Sequence, residues 1–264
     1  MAMRYTVLTY IFNGYERVHE IREKDPEADY ILVTDNAQLH SDTWQVIHDP
    51  MPRLSPFGKC YEVRFHPFRY AKTPIVVRVD GSIGIQQPLT PFVDEFEQGR
   101  YDRCVMIHPH RNTMPDEYNV WCQTRGYSIV QAARCMKAIE RMGYKLNRRG
   151  LYQGCFEIQR DTEINHAVND LTFCLLALMG GQGKIERIDQ TVTSAVINRF
   201  FSDMKILPVS EDIVTDGRYM QWYFHNSDKP IPQKSHYITP IFAGKPCKCF
   251  YPHNKKKVEY GIFQ

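Results

Sequence analysis

The chain has 264 residues, which suits one large domain or a domain with an appendage. Hydrophobic residues make up 43% of it, enough for a sizeable core, and this excludes wholesale disorder. The 33 basic and 30 acidic residues leave a formal charge of +3, too balanced for nucleic acid as the main partner.

A strand pattern begins almost at once, over Tyr5 to Phe12, and Asn13-Gly14-Tyr15 closes it. Glu16 to Lys24 is short and charged, with room for a helix. Ala28 to Asn36 reads as a second strand whose end carries Asp35, and Trp44 to Ile47 as a short third. Phe57 to Tyr70 is predicted helical with a basic face that includes Lys59, Arg64 and Arg69. The fourth strand, Ile75 to Val79, is apolar and β-branched, as an enclosed strand requires. It ends abruptly in Asp80-Gly81-Ser82, a turn signal.

Pro91 to Gly99 reads as a helix and Arg103 to Ile107 as a strand, followed by the loop His108-Pro109-His110-Arg111-Asn112. Tyr127 to Met142 is predicted helical. Ile129, Val130, Ala133, Met136 and Ile139 recur at helical spacing there, and Gly143 stops the helix. Phe156 to Ile158 is a strand and Asn165 to Leu178 an amphipathic helix. Asp189 to Phe201 is a helix with Asp189 at the position of an N-cap. From Pro208 on, prolines, aromatics and turn residues dominate. Strands alternating with helices predict an α/β fold with a mostly parallel sheet and right-handed crossovers. Without internal repeats or low-complexity linkers, one compact domain is expected.

The eight cysteines contain no Cys-x-x-Cys pair, so neither a zinc site nor a thioredoxin-type motif is suggested. Those in apolar contexts, such as Cys174, read as small core residues. Cys247 and Cys249 are too close in sequence for a strain-free bridge. With no apolar run of about 18 residues and no signal-peptide layout at the N-terminus, the expectation is a cytoplasmic protein without a membrane span. Lys255-Lys256-Lys257, with Lys245 and Lys248 before them, read as a solvated tail or as an attraction to an anionic surface.

Asp80 is the first functional candidate. In open α/β sheets ligands sit beyond the carboxyl ends of strands, where a carboxylate can hold a divalent cation and the cation a diphosphate. Asp35 would lie on the same sheet edge, within reach of a nucleoside; each acid is equally an ordinary turn residue. Lys59, Arg64, Arg69 and Lys72 precede the Asp80 strand and could meet a diphosphate or form a solvated helix face. His108, His110 and Arg111 suggest a substrate-contacting loop rather than a zinc site, since no third ligand is evident. Gly180-Gly181-Gln182-Gly183 with Lys184 lacks the hydroxyl and spacing of a phosphate loop. Asp189, after Glu186, can cap its helix, orient an acceptor hydroxyl or act as general base. His225, followed by Lys229 and Pro230, offers a metal ligand and a cation for a phosphate leaving group, or simply a surface turn.

Together these features resemble a glycosyltransferase of the GT-A fold, whose signature is an Asp-x-Asp at a strand end; here Asp80-Gly81-Ser82 keeps the first acid only. Arg78 to Ile85 with Pro88, and the opening Thr6 to Tyr15, are similar to the TOD1/MUCI70-like family of glycosyltransferases, over Tyr5 to about Phe201. Gln153 to Ile158 looks like the small-residue strand beside the donor sugar, and Asp189-Gln190 like the Asp-Gln facing the reaction centre. His225 with Lys229-Pro230 is similar to the His-x-x-Gly-x-x-Lys-Pro segment of glycosyltransferase family 8, although the spacing differs and the glycine is absent.

The resemblance implies a nucleotide-binding half over 1–107, an acceptor half over 108–207 and an irregular segment over 208–264. It implies transfer of a sugar from a nucleotide-diphosphate sugar to a carbohydrate or lipid-linked acceptor, in polysaccharide or glycoconjugate synthesis. Mn²⁺ or Mg²⁺ would be held by Asp80 and His225, and the donor by Asp35, Lys59, Arg64, Asp80 and Ser82. Asp189 and Lys229 would serve in catalysis. The rivals are a nucleotide-sugar-binding protein without activity, and a nucleotidyltransferase or hydrolase on a similar sheet.

Overall fold

The computed structural model describes residues 2–124, 128–146, 150–180 and 188–231, and two short strands at 241–242 and 245–246. In chain order the elements are β1 (Tyr5–Ile11), β2 (Ala28–Thr34), β3 (Gln45–His48), α1 (Pro56–Phe65), β4 (Ile75–Val79), β5 (Ile83–Ile85), α2 (Thr90–Gln98) and β6 (Arg103–Ile107). There follow α3 (Met114–Thr124), α4 (Ile129–Arg141), β7 (Tyr152–Arg160), α5 (Glu163–Gly180), α6 (Asp189–Arg199), β8 (Ile206–Val209), α7 (Asp212–Thr215), β9 (Met220–Trp222), β10 (Ile241–Phe242) and β11 (Lys245–Pro246).

The fold is α/β. Seven strands form one sheet in the order β3-β2-β1-β4-β7-β6-β8. All neighbours are parallel except β7, which runs antiparallel between β4 and β6. Every residue of β4 is buried, as befits a central strand covered on both faces. The edges are blunted: β3 has four residues, two of them exposed, and β8 has four with Pro208 among them. On one face Val7, Ile11, Val77, Val79 and Phe156 pack against Phe92, Val93 and Phe96 of α2. On the other, Leu8, Val33 and Val76 meet Val63 of α1. A further core joins Val105 and Ile107 of β6 to α4, α5 and α6.

Several expectations are corrected. No helix forms over Glu16 to Lys24, because the 41–44 turn holds this segment instead: Ile21 N–H donates to Thr43 Oγ1 at 2.9 Å and Trp44 Nε1–H to the His19 carbonyl at 3.0 Å. The helix expected over Phe57 to Tyr70 stops at Phe65, since Pro67 cannot continue it, and a 3-10 turn over Pro67–Arg69 follows. The helix expected from Tyr127, which lies outside the described residues, starts at Ile129 behind a capping box of Ser128 and Gln131. Its buried stripe is Ala132, Cys135, Met136 and Ile139, while Ile129 and Val130 are exposed. Cys174 is exposed, whereas Cys104, Cys135 and Cys155 are buried. The strand at Phe156 to Ile158 extends to nine residues, and α3, β8 and the antiparallel pair β5–β9 were not anticipated. The Gly181 to Arg187 segment, Lys245 and Lys248 as side chains, Cys247, Cys249 and Lys255 to Lys257 lie outside the described residues.

Candidate functional site

From β1 the chain builds outward to β2 and β3, then returns to lay β4 on the other side of β1. This is a topological switch point, and the crevice beyond the carboxyl ends of β1 and β4 is where such sheets bind ligands. A cavity of about 580 Å³ lies there, a volume suited to a small ligand.

Three segments of main chain frame it. Asp80 starts a tight turn, with Ile83 N–H donating to its carbonyl at 2.9 Å. Gly81 is needed because the end of β4 presses on the end of β1: a Cβ there would stand 3.0 Å from the Tyr10 carbonyl oxygen and 3.1 Å from Ile11. On the far wall, α1 begins with Ser55 Oγ accepting the Gly58 N–H at 3.1 Å, followed by Pro56 at the first helical position. Phe57, Cys60, Tyr61 and Arg64 then fall on one helical face, and all four line the cavity. The third wall is the start of β7, with Gln153, Gly154 and Cys155, together with the first residues of α6, Asp189 and Gln190.

The floor is charged. Asp80 receives Arg78 Nη1 at 2.9 Å and the Tyr10 hydroxyl at 3.3 Å. Removal from water pushes its carboxyl pKa up, in spite of the Arg78 and Arg64 guanidinium groups. The same burial, reinforced by Asp80, keeps the Tyr10 phenol protonated as a donor. Arg78 is fully buried and faces Glu157 across the β4–β7 pair, while Glu157 also binds Arg103 on β6. Burial disfavours the Glu157 carboxylate, but Arg103, Arg78 and Arg64 outweigh it and hold the pKa below the usual carboxylate range. Arg64 is almost fully buried and donates Nη1 to Asp189 at 2.5 Å, while its Nε and Nη2 have no hydrogen-bond partner among the described residues. It lies flat on Gly154, where a Cβ would stand 2.0 Å from Nη2, so only glycine leaves room for it. Burial raises the Cys60 thiol to about 12, which removes it as a nucleophile.

Of the expected site residues, Asp80, Ser82, Arg64, Asp189 and His225 line this one cavity, although up to 209 positions separate them in sequence from their partners. Asp189 is not a cap. Ile188 holds that position and makes no side-chain bond, which leaves the Asp189 carboxylate to Arg64. The Ser82 hydroxyl accepts Trp222 Nε1–H at 3.1 Å. Asp35 and Lys59 do not line the cavity; they pair with each other at 2.7 Å, and Asp35 also accepts the Asn13 N–H at 2.9 Å. Lys229 is exposed, with its ammonium 5.9 Å from the centre of the Phe224 ring, and is not part of the lining. Arg69 pairs with Glu62, and Lys72 is exposed.

In the loop expected to contact substrate, the His108 ring is turned inward and engaged by the loop itself. His108 is 4% exposed and its Nδ1 accepts the His110 and Arg111 N–H groups at 3.1 and 3.2 Å, while Arg111 binds the buried Glu117. No group of three or more His, Cys, Asp or Glu side chains placed to hold a metal ion occurs among the described residues.

Sequence reasoning missed Glu16, Trp222 and the aromatic face of α1, whereas Gln153 and Gln190, expected near the donor, do line the cavity. The spacing of 57, 60, 61 and 64 was available as a signal; the others are joined only by the fold. No helix among the described residues is long and apolar enough to cross a membrane. No protein-family model matches the chain, and no curated protein matches it in sequence.

Proposed function

We propose that the chain is a cytoplasmic glycosyltransferase that moves a sugar from a nucleotide-diphosphate sugar to a carbohydrate or lipid-linked acceptor, in polysaccharide or glycoconjugate synthesis. The observation that carries the reading is the switch-point cavity, with the strand-end Asp80 on its floor and an aromatic wall opposite. Sugars and bases stack on such rings, and the Gln153 and Gln190 side-chain oxygens, which have no partner among the described residues, suit donors such as sugar hydroxyls.

The charge of the lining bears on the cofactor. Glu16, Asp80 and Asp189 meet two guanidinium groups, Arg64 in the lining and Arg78 behind Asp80, so with His225 neutral the carboxylates are in excess by one. A diphosphate alone would be repelled there, and a divalent cation arriving with it removes the conflict. Mg²⁺ and Mn²⁺ accept one or two carboxylates, with phosphate oxygens and water completing the shell, so Asp80 is a sufficient protein anchor, and His225, whose Nδ1 meets Glu16, stays outside the shell. When bound, the cation supplies neutralisation of the departing diphosphate. The chain's own residues hold the reactants: Arg78 and Tyr10 fix the Asp80 carboxylate, and Arg64 fixes Asp189 beside Gln190. Catalysis on this scheme is positioning plus charge neutralisation. Asp35, Lys59 and Lys229 take no part in it.

The test is a thermal-shift series with UDP, GDP and ADP and their sugars, with Mn²⁺ or with chelator. A ligand that binds only the native state raises the midpoint, by about 2.7 kcal/mol of stability at 100 times Kd. The expected result is a rise for one nucleotide class that depends on the cation. No rise with any nucleotide overturns the reading. Binding without release of nucleoside diphosphate, in the presence of donor, marks a binding module instead.

A further inference from the structure

Beside Asp80, the cavity mouth carries a carboxylate–imidazole pair drawn from opposite ends of the chain. Glu16, in the loop after β1, is 8% exposed, and its Oε1 contacts His225 Nδ1. Its other oxygen accepts the Asn226 N–H at 2.8 Å. A carboxylate in this state only accepts, so Nδ1 carries the hydrogen, and the neutral ring keeps its lone pair on Nε2. His225 itself is well exposed and lines the cavity.

The surroundings fix this imidazole. The Tyr15 ring lies 4.8 Å from it, centre to centre. Asn226 takes a left-handed turn at φ 52°, and its N–H is spent on the same Glu16. On either side the 223–230 loop is pinned to the segment after β1: His19 stacks on Tyr223 at 4.3 Å and Arg17 pairs with Asp228. Tyr223 N–H also donates to the Ser82 carbonyl at 2.9 Å, which ties the loop to the Asp80 turn. A buried acid orienting one ring nitrogen of a histidine that lines a cavity is the arrangement of a general base. Asp189, the other basic group of the cavity, is already engaged by Arg64.

We propose that Glu16 and His225 form a catalytic dyad in which His225 Nε2 takes the proton of the attacking hydroxyl. The acceptor oxygen then bonds to the anomeric carbon, and the bond from that carbon to the diphosphate oxygen breaks, with its electron pair leaving on the diphosphate. The proton stays on the imidazole, which Glu16 stabilises, until it passes to solvent. His225 is the catalytic residue and Glu16 the positioning residue. This rests on the glycosyltransferase reading.

The experiment measures nucleoside diphosphate released from UDP-, GDP- and ADP-sugars with water as acceptor, in the full chain with Mn²⁺. His225→Asn keeps a donor for Glu16 but has no basic nitrogen, and His225→Ala leaves space for added imidazole. Both are expected to lose about 100-fold or more in kcat, with the nucleotide-induced midpoint shift unchanged. Imidazole is expected to restore the alanine variant but not the asparagine one, a response that a purely structural histidine would not give. Glu16→Gln should lower kcat without raising KM. Wild-type release rates in both histidine variants, or binding without release in the wild type, overturn the dyad while leaving nucleotide binding intact. Absence of any nucleotide-induced shift removes the glycosyltransferase reading itself.

Discussion

Asp80 carries a conflict that selection for stability alone would remove. It is a carboxylate at the end of a buried strand, about a third exposed in the crevice, and its pKa is raised by partial loss of water. Between the unfolded carboxyl value and this raised one, the native state binds more protons than the unfolded state. Stability therefore falls as pH rises through that window, and the loss is complete above it. Asp80→Asn should flatten this part of a pH series of urea unfolding and leave the protein no less stable at pH 8, while abolishing the nucleotide-dependent shift. Glu95, which burial pushes up to about 7, gives a slope of the same sign in both proteins and serves as the internal reference. A variant that loses stability at pH 8 would show that Asp80 is held for the fold rather than for a ligand.

At the scale of elements, β7 explains how charge enters the centre of the sheet. It places Glu157 between Arg78 of β4 and Arg103 of β6, all three fully buried. Removing the acid takes the carboxylate partner from Arg103 and leaves Arg78 with Asp80 as its counter-charge, so Glu157→Gln should cost about 3–5 kcal/mol of unfolding free energy. Replacing the buried charges together by apolar residues of similar volume should cost much less, because the penalty lies in the unpaired charge rather than in the missing bond. Denaturant unfolding of both variants checks this. The start of the same strand shapes the cavity, where Gly154 receives the Arg64 guanidinium that holds Asp189. One element thus braces the sheet and sets the floor of the site.

For the whole molecule, the division at residue 107 is not a boundary in the sheet. β4, from the first half, pairs with β7 from the second over five residues, and β6 pairs with β8. A fragment ending at 107 would leave β4 as an apolar, exposed edge and would take Glu157 and the Gly154 carbonyl away from Arg78, so it should fail to fold. Circular dichroism and amide dispersion of residues 1–107 test this; a cooperatively folded fragment would mean that β1 to β4 and their helices form a self-sufficient unit.

The α/β class and most of the sheet were legible because period and composition are local. An enclosed β-branched run can hardly be anything but a buried strand, and Asp80-Gly81-Ser82 marks its end whatever the rest does. Sequence also singled out Asp80, Arg64, Asp189, Ser82 and His225, since charged or hydroxyl groups at element ends are local signals too. It could not pair them. Asp35 and Lys59 looked like ligand-binding groups until the fold set one against the other, and Asp189 looked like a cap until Arg64 claimed it. The antiparallel course of β7 was equally hidden, because a strand's direction depends on where its neighbours lie and not on its own residues. The sequence by itself determined the strands β1 to β4 and β6 and the helices α1, α2, α4, α5 and α6 to within their ends, through hydrophobic spacing and turn chemistry. Only the tertiary structure decided which charges meet, because an ion pair such as Arg64 with Asp189 depends on distances of a few ångströms between residues that chain order holds far apart.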